Sequence, residues 1–291
     1  MHSPRSARQR PDLGALLRDW RTARRLSQLN LALKAEISAR HLSFLETGRS
    51  RPSRELLLHL TDTLEIPLRE RNLLLAAAGF APTYLETDLA APEMAQVRTA
   101  IELILGHQEP YPAFVVDRCW EVRLANQAAA RLTRFLLGGD SSETNMLRTV
   151  LRPDGVRRFM ANWEDLAGDL IRHLHHHIAA SPSDARARAL LADVLAYPGV
   201  PARWRTREIG RAAPPLLTTV FQKDGRELRF FSTLTSFGTP HDVTLEELRI
   251  ECNFPADEAT AAFCRELTTS GSVDASNSAG AGVPASFHSS A

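Results

Sequence analysis

The sequence predicts an all-α N-terminal bundle followed by an α+β domain, an antiparallel sheet with covering helices. Three observations carry this. Residues 12–80 place apolar side chains at helical spacing between caps and glycine stops. Beyond residue 113 the apolar period falls to two. Further on, Asp224-Gly225 separates two alternating runs as a hairpin turn does.

The elements follow in order. Asp12 caps a first helix whose Leu13, Leu16, Leu17 and Trp20 fall on one stripe. Ser27 opens a second, to about Lys34, and Ser38 a third, to Thr47, which Gly48 stops. Pro52–Ser53 opens a fourth with Leu56, Leu57, Leu60 and Leu64, and a fifth runs from Pro67 to Ala78 before Gly79. Residues 81–92, with Pro82 and Pro92, form a linker, and a helix from Glu93 to about Leu105 begins the second domain, residues 93–268. Ala113–Val116 is an apolar strand, and Trp120, Val122 and Leu124 alternate with Glu121 and Arg123 in the next. Asn126 caps a helix through Leu137.

From Val156 the residues Phe159, Met160, Trp163, Leu166, Leu170, Ile171, Leu174 and Ile178 describe one long amphipathic helix, and Ser183–Ala196 another. Strands Leu216–Gln222 and Glu227–Ser236 flank the turn. On the latter, Leu228, Phe230 and Leu234 face one way and Arg229, Thr233 and Thr235 the other. A last strand turns Leu248, Ile250, Cys252 and Phe254 inward and Glu247, Arg249 and Glu251 outward, before a closing helix at Ala256–Thr268. The basic segment 1–11 and the Ser/Ala/Gly tail 269–291 have little to bury and are expected to be disordered.

Composition excludes several classes. With 44% hydrophobic and 24% charged residues among 291, the chain reads as an ordinary globular protein. No run approaches the roughly 18 apolar residues of a membrane helix, and the N-terminus lacks the apolar core of a signal peptide. Cys119, Cys252 and Cys264 are widely spaced, so neither a disulfide framework nor a zinc ribbon is indicated. The expected compartment is the cytoplasm. Residues 1–80 hold 14 Lys+Arg against 8 Asp+Glu, whereas the remainder holds 21 against 26. A basic module joined to an acidic one points to a nucleic-acid partner for the first.

Residues 27–51, SQLNLALKAEISARHLSFLETGRSR, carry the functional signal. Two short helices joined by a tight turn inside a bundle form a helix-turn-helix, whose second helix fits the major groove and offers its N-terminal side chains to base edges. Leu31, Ala32, Ile37, Leu42 and Leu45 fix the angle between the helices.

This stretch resembles the Cro/C1 (XRE-type) helix-turn-helix family. Matched to that pattern, Gln28 stands where the family contacts the DNA backbone. Ser38 caps the recognition helix, Ala39, Arg40, Ser43 and Phe44 lie on its outward face, and Arg49 and Arg51 follow for phosphate. Arg40 suits guanine O6 and N7 or a phosphate. Phe44 suits a thymine methyl or the next helix, and His41 packs on the helix face. The family's usual turn glycine is replaced by Glu36, where a left-handed backbone costs on the order of 1 kcal/mol.

Further segments, among them PLRERNLLLAAAGFAP, HQEPYPAFVVDRCWEVRLAN, LRPDGVRRFMANWEDLA and GRELRFFSTLTSFGTPHDVTLEELRIECNFPADEAT, resemble the MmyB-like transcriptional regulators, an XRE module followed by a PAS-like ligand-binding domain. The resemblance implies double-stranded DNA as partner, a homodimer, and a pocket for a small apolar, fatty-acid-like ligand. Trp120, Phe159, Trp163, Phe221, Phe230 and Leu234 are its candidate lining, or plain core.

His173, His175, His176 and His177 invite a metal reading, His173 and His177 being one turn apart, but no carboxylate pair or cysteine completes a set, and a solvated face is the better reading. Neither GxSxG nor HExxH nor a phosphate loop occurs. No catalytic residue, metal or required cofactor is therefore assigned. The reading is a non-enzymatic regulator. Its rivals are a helical module that binds protein rather than DNA, and an enzyme acting on the bound small molecule.

Overall fold

The computed structural model of the protein describes residues 12–181, 184–206 and 216–276, with side chains as far as Thr269. The segments 1–11 and 277–291, and Ser183, which the sequence places in a helix, lie outside the described residues. The chain divides into two compact units: Met1–Arg98 with Ile171–Asp193 and Ser236–Leu248, and Thr99–Leu170 with Val194–Thr235 and Arg249–Ala291.

The first unit opens with α1 (Leu13–Ala23), α2 (Gln28–Lys34), α3 (Ala39–Glu46), α4 (Arg54–Thr63) and α5 (Leu68–Ala78). Asp12, Ser27, Ser38 and Ser53 each accept a backbone N–H as N-caps. Leu17, Leu31, Leu42, Leu57, Leu60 and Leu75 are fully buried between the helices, each worth roughly 1.5–3 kcal/mol of burial.

All five helices end alike. The N–H groups of Leu26, Ile37, Arg49, Ile66 and Phe80 reach back to the carbonyls of Arg21, Ala32, Phe44, Thr61 and Leu75. This is the closure made by a left-handed residue after the helix. Gly48 and Gly79 supply that backbone in two cases; Arg25, Glu36 and Glu65 supply it at φ 55°, 53° and 49°. Glu36 therefore adopts the turn expected of glycine, and the apolar residue after it, Ile37, packs against the core.

The linker leads through a 3-10 turn at Pro92–Met94 to α6 (Ala95–His107). In the second unit β1 (Ala113–Val116), β2 (Val122–Ala125), β3 (Thr218–Lys223), β4 (Arg226–Thr235) and β5 (Arg249–Pro255) form one antiparallel sheet of order β2-β1-β5-β4-β3. The remaining helices are α7 (Gln127–Leu137), α8 (Met146–Leu151), α9 (Trp163–Ala180), α10 (Ala185–Val194), α11 (Val243–Glu247) and α12 (Glu258–Ser276), of which α11, nearly all of α10 and the second half of α9 fall in the first unit. Asn126 caps α7 as expected. Its amide oxygen accepts from Ala113 and Ala129 N–H, and its nitrogen donates to Tyr111 O, which ties β1 to α7. Phe135 of α7 meets Phe263 of α12 edge-on at 4.8 Å.

The structure corrects the sequence reading at several points. The expected helix from Val156 to Ile178 is interrupted: a 3-10 turn covers Val156–Phe159, then Met160 turns extended and bridges Phe221. Ala161 N–H donates to Val220 O, and the Asn162 amide bonds both Thr218 O and Val220 N–H. An open strand edge demands such partners, and that demand outweighs the helical periodicity. Glu247 ends α11 instead of opening a strand, and Glu251 is not outward in solvent. The last helix continues past Thr268 to Ser276, and α8 has no counterpart in the sequence pattern.

Candidate functional site

The geometry of α2 and α3 rests on a buried ion pair. Glu46, at the C-terminal end of α3, has a side chain with no solvent exposure. Arg21 of α1 donates to it twice, Nε to Oε1 at 2.6 Å and Nη2 to Oε2 at 3.0 Å. The Gln28 amide donates to Oε2 at 2.8 Å, and Arg18 donates to the Glu46 carbonyl at 2.8 Å. Three helices thus converge on one carboxylate. Burial pushes the Glu46 carboxyl up, but hydrogen bonds from Arg21 and Gln28 with the charges of Arg21 and Arg18 outweigh it, and the group titrates below its ordinary value. The sequence reading passed over Glu46. Its signal was a carboxylate at a core-facing position, beside Leu42 and Leu45.

On the other side of α3, Ser38 and Arg40 are exposed and Ala39, Ser43 and Phe44 half-buried. The Phe44 ring lies beneath two guanidinium groups, Arg40 at 5.3 Å and Arg49 at 5.9 Å from its centroid. Phe44 therefore serves as a platform that gathers a base-reading candidate and a phosphate candidate. Arg51 is exposed in the following loop. Gln28, assigned to the DNA backbone, has one amide N–H committed to Glu46.

A second constellation in this unit was not foreseen. Pro67, before α5, offers no side-chain cap. The Glu246 carboxylate supplies one from α11, accepting Leu68 N–H at 2.8 Å. Glu247 pairs with Arg69 at 2.7 Å, and Glu86 of the linker binds the same guanidinium. Asp242, which caps α11, also accepts from the Thr87 N–H and hydroxyl. The segment joining β4 to β5 is thereby clamped onto α5 and the linker. Such pairings span more than a hundred residues of chain, so local spacing carries no trace of them.

In the sheet domain the six candidate lining residues divide. Phe221 and Phe230 pack edge-on at 6.5 Å, and the Lys223 ammonium lies 5.0 Å from the Phe159 ring. Trp163 packs on Trp204 at 5.5 Å, beneath the Arg157 guanidinium, and donates to Val150 O. Trp120 sits in the β1–β2 turn at φ 62°. Leu234 is 52% exposed, opposite Glu251.

His177 bonds Asp184, which caps α10. Among the described residues no group of three or more His, Cys, Asp or Glu is placed to hold a metal ion, and no helix is long and apolar enough to cross a membrane. The three cysteines are buried and none is in a disulfide.

Comparison with known proteins adds to this geometry. Residues 12–74 match a helix-turn-helix domain model, and residues 97–267 match the MmyB-like transcription regulator ligand binding domain. No match was found among curated proteins. A solved structure described as an RNA-binding Light-Oxygen-Voltage receptor aligns over 94% of this chain and 70% of that one, at 14% identity and a TM-score of 0.25, too weak a likeness to carry an argument. With a capped helix-turn-helix at one end and a ligand-binding domain model covering more than half its length, the chain belongs to the MmyB-like transcription regulators, which bind DNA.

Proposed function

We propose that two protomers place their α3 helices in successive major grooves, about 34 Å apart, and that a small apolar, fatty-acid-like molecule held by the sheet domain modulates this. The observation that carries the DNA reading is the Arg40–Phe44–Arg49 stack on the outward face of a helix braced from behind by Glu46. A guanidinium resting on an aromatic ring has less freedom to lose on meeting DNA.

The test is selection from a random duplex pool followed by titration. Arg40→Ala is expected to cost about 1–3 kcal/mol and to relax preference at one base position. Arg49→Ala is expected to weaken all sequences alike and to lower the slope of log K against log salt by about 1. Failure to enrich any sequence overturns the reading and favours a protein-binding module.

The α11 clamp supports the modulation half. Only a ligand that binds two arrangements unequally shifts their balance, and β4 and β5 lead directly into a segment that caps α5 and holds Arg69. Arg69→Ala is expected to leave ligand affinity within about twofold while reducing the effect of ligand on DNA affinity, since linkage makes both effects one coupling energy of about 1–3 kcal/mol. Fluorescence anisotropy of labelled operator with and without ligand measures it; an unchanged ligand effect removes the clamp from the pathway.

A further inference from the structure

Register places three side chains in one row across the sheet. Phe114 of β1 and Leu234 of β4 both lie directly opposite Glu251 of β5, and opposed residues of antiparallel strands share a face. Ser232, two residues before Leu234, is on that face. One carboxyl oxygen, Oε2, is cut off from solvent and has no hydrogen-bond partner among the described residues. Beside it stands a leucine that is 52% exposed.

Each half of this arrangement is costly alone. A buried carboxylate oxygen without a donor forfeits its hydration, and an exposed leucine in a strand buries little. One occupant removes both costs: an apolar body over Leu234 with a hydrogen-bond donor directed at Oε2. Burial pushes the Glu251 carboxyl up to about 7, and only the Ser232 hydroxyl opposes this, so near neutrality the group also takes up a proton readily. Of its cross-strand neighbours, Phe114, Ser232 and Leu234 are not titratable; on β5 itself Arg249 shares its face and Cys252 adjoins it.

We propose that Glu251, with Ser232, is the head-group site of the sheet domain, and that it takes an apolar molecule whose polar end donates an N–H or O–H. This rests on the apolar-ligand reading above and narrows it. A long-chain amine, alcohol and primary amide share the required donor chemistry; a long-chain ester has the same body and no donor.

The experiment titrates the full chain at pH 8.5, where the Glu251 carboxyl is mainly ionised and can only accept, with dodecylamine, dodecanol, dodecanamide and methyl laurate, reading bound stoichiometry by native mass spectrometry. At least one donor-headed compound should bind about tenfold more tightly than the methyl ester, the weight of a hydrogen bond to a buried carboxyl. Glu251→Leu should bring that compound within about twofold of the ester, with ester binding retained; Glu251→Met, which keeps the length without an oxygen acceptor, serves if the leucine variant does not fold. Which donor wins identifies the source of the head group. Equal binding of all four, or a preference that survives both substitutions, overturns the head-group assignment and leaves the apolar-ligand reading intact. Absence of binding by every compound, the ester included, overturns both.

Discussion

Replacing Glu46 by alanine should destabilise the DNA-binding bundle by about 3–5 kcal/mol, the usual consequence of removing one partner of a buried ion pair. The Arg21 side chain is only 13% exposed and would be left without its counter-charge. Gln28 loses its acceptor in the same change, and α1 and α2 lose their shared anchor on α3. The chain has two units, so a single melting temperature is a poor measure. Hydrogen exchange of the α1–α3 amides reads the local loss directly. Protection unchanged from the parent would show that apolar packing alone sets the helix angle. Since Arg40, Phe44 and Arg49 ride on α3, DNA affinity is expected to fall with protection.

The same pair makes a signed prediction for pH. Glu46 has its folded value depressed below the unfolded one of about 4.3. Its contribution is therefore complete above the unfolded value and is lost as pH falls through the folded value. Protection of α1–α3 should decline in this acid window for the parent, and Glu46→Gln should flatten that decline.

The contrast between what was legible and what was not has a physical basis. The caps Asp12, Ser27, Ser38, Ser53 and Asn126, the stops Gly48 and Gly79 and the Asp224-Gly225 turn all act within a few residues, so each appears in the sequence where it acts in space. The outward placement of Arg40 follows from helical period alone. By contrast, the break at Met160–Asn162 is imposed by the edge of β3, some sixty positions away, and the pattern of apolar residues around it stays helical throughout. Glu251 alternates like an outward residue, and only the register with Phe114 and Leu234 shows it among apolar neighbours. Glu246 and Glu247 look like surface charge until α5 is found without a cap of its own. The missed residues are those whose partners lie far along the chain, and the candidate recognition face was legible because the contacts of Arg40, Phe44 and Arg49 with one another are local.

Gly14 shows the same division as a change of sign. From the sequence, a glycine inside a helix costs about 1 kcal/mol relative to alanine, so Gly14→Ala would be expected to stabilise α1. In the structure a Cβ at this position would lie 2.5 Å from the Glu46 carbonyl oxygen, 2.8 Å from its carbon and 2.9 Å from the Leu45 oxygen. These are backbone atoms closing α3, and no rotamer change moves them aside. The same Glu46 carbonyl receives Arg18, and the Glu46 side chain receives Arg21, so separating α1 from α3 strains every bond to that residue. Gly14→Ala is therefore expected to destabilise the bundle by about 3 kcal/mol, the upper range for overpacking, with lost amide protection in α1 and α3 and weakened operator binding. Gly106, in α6, has nothing within 4 Å of the corresponding position, and Gly106→Ala is expected to be neutral or to stabilise by up to about 1 kcal/mol. Two Gly→Ala changes of opposite sign would establish that close approach of α1 to α3, rather than helix propensity, positions the recognition helix; if both stabilise, α1 does not press on α3 as closely as this and the brace behind Arg40 and Arg49 is looser.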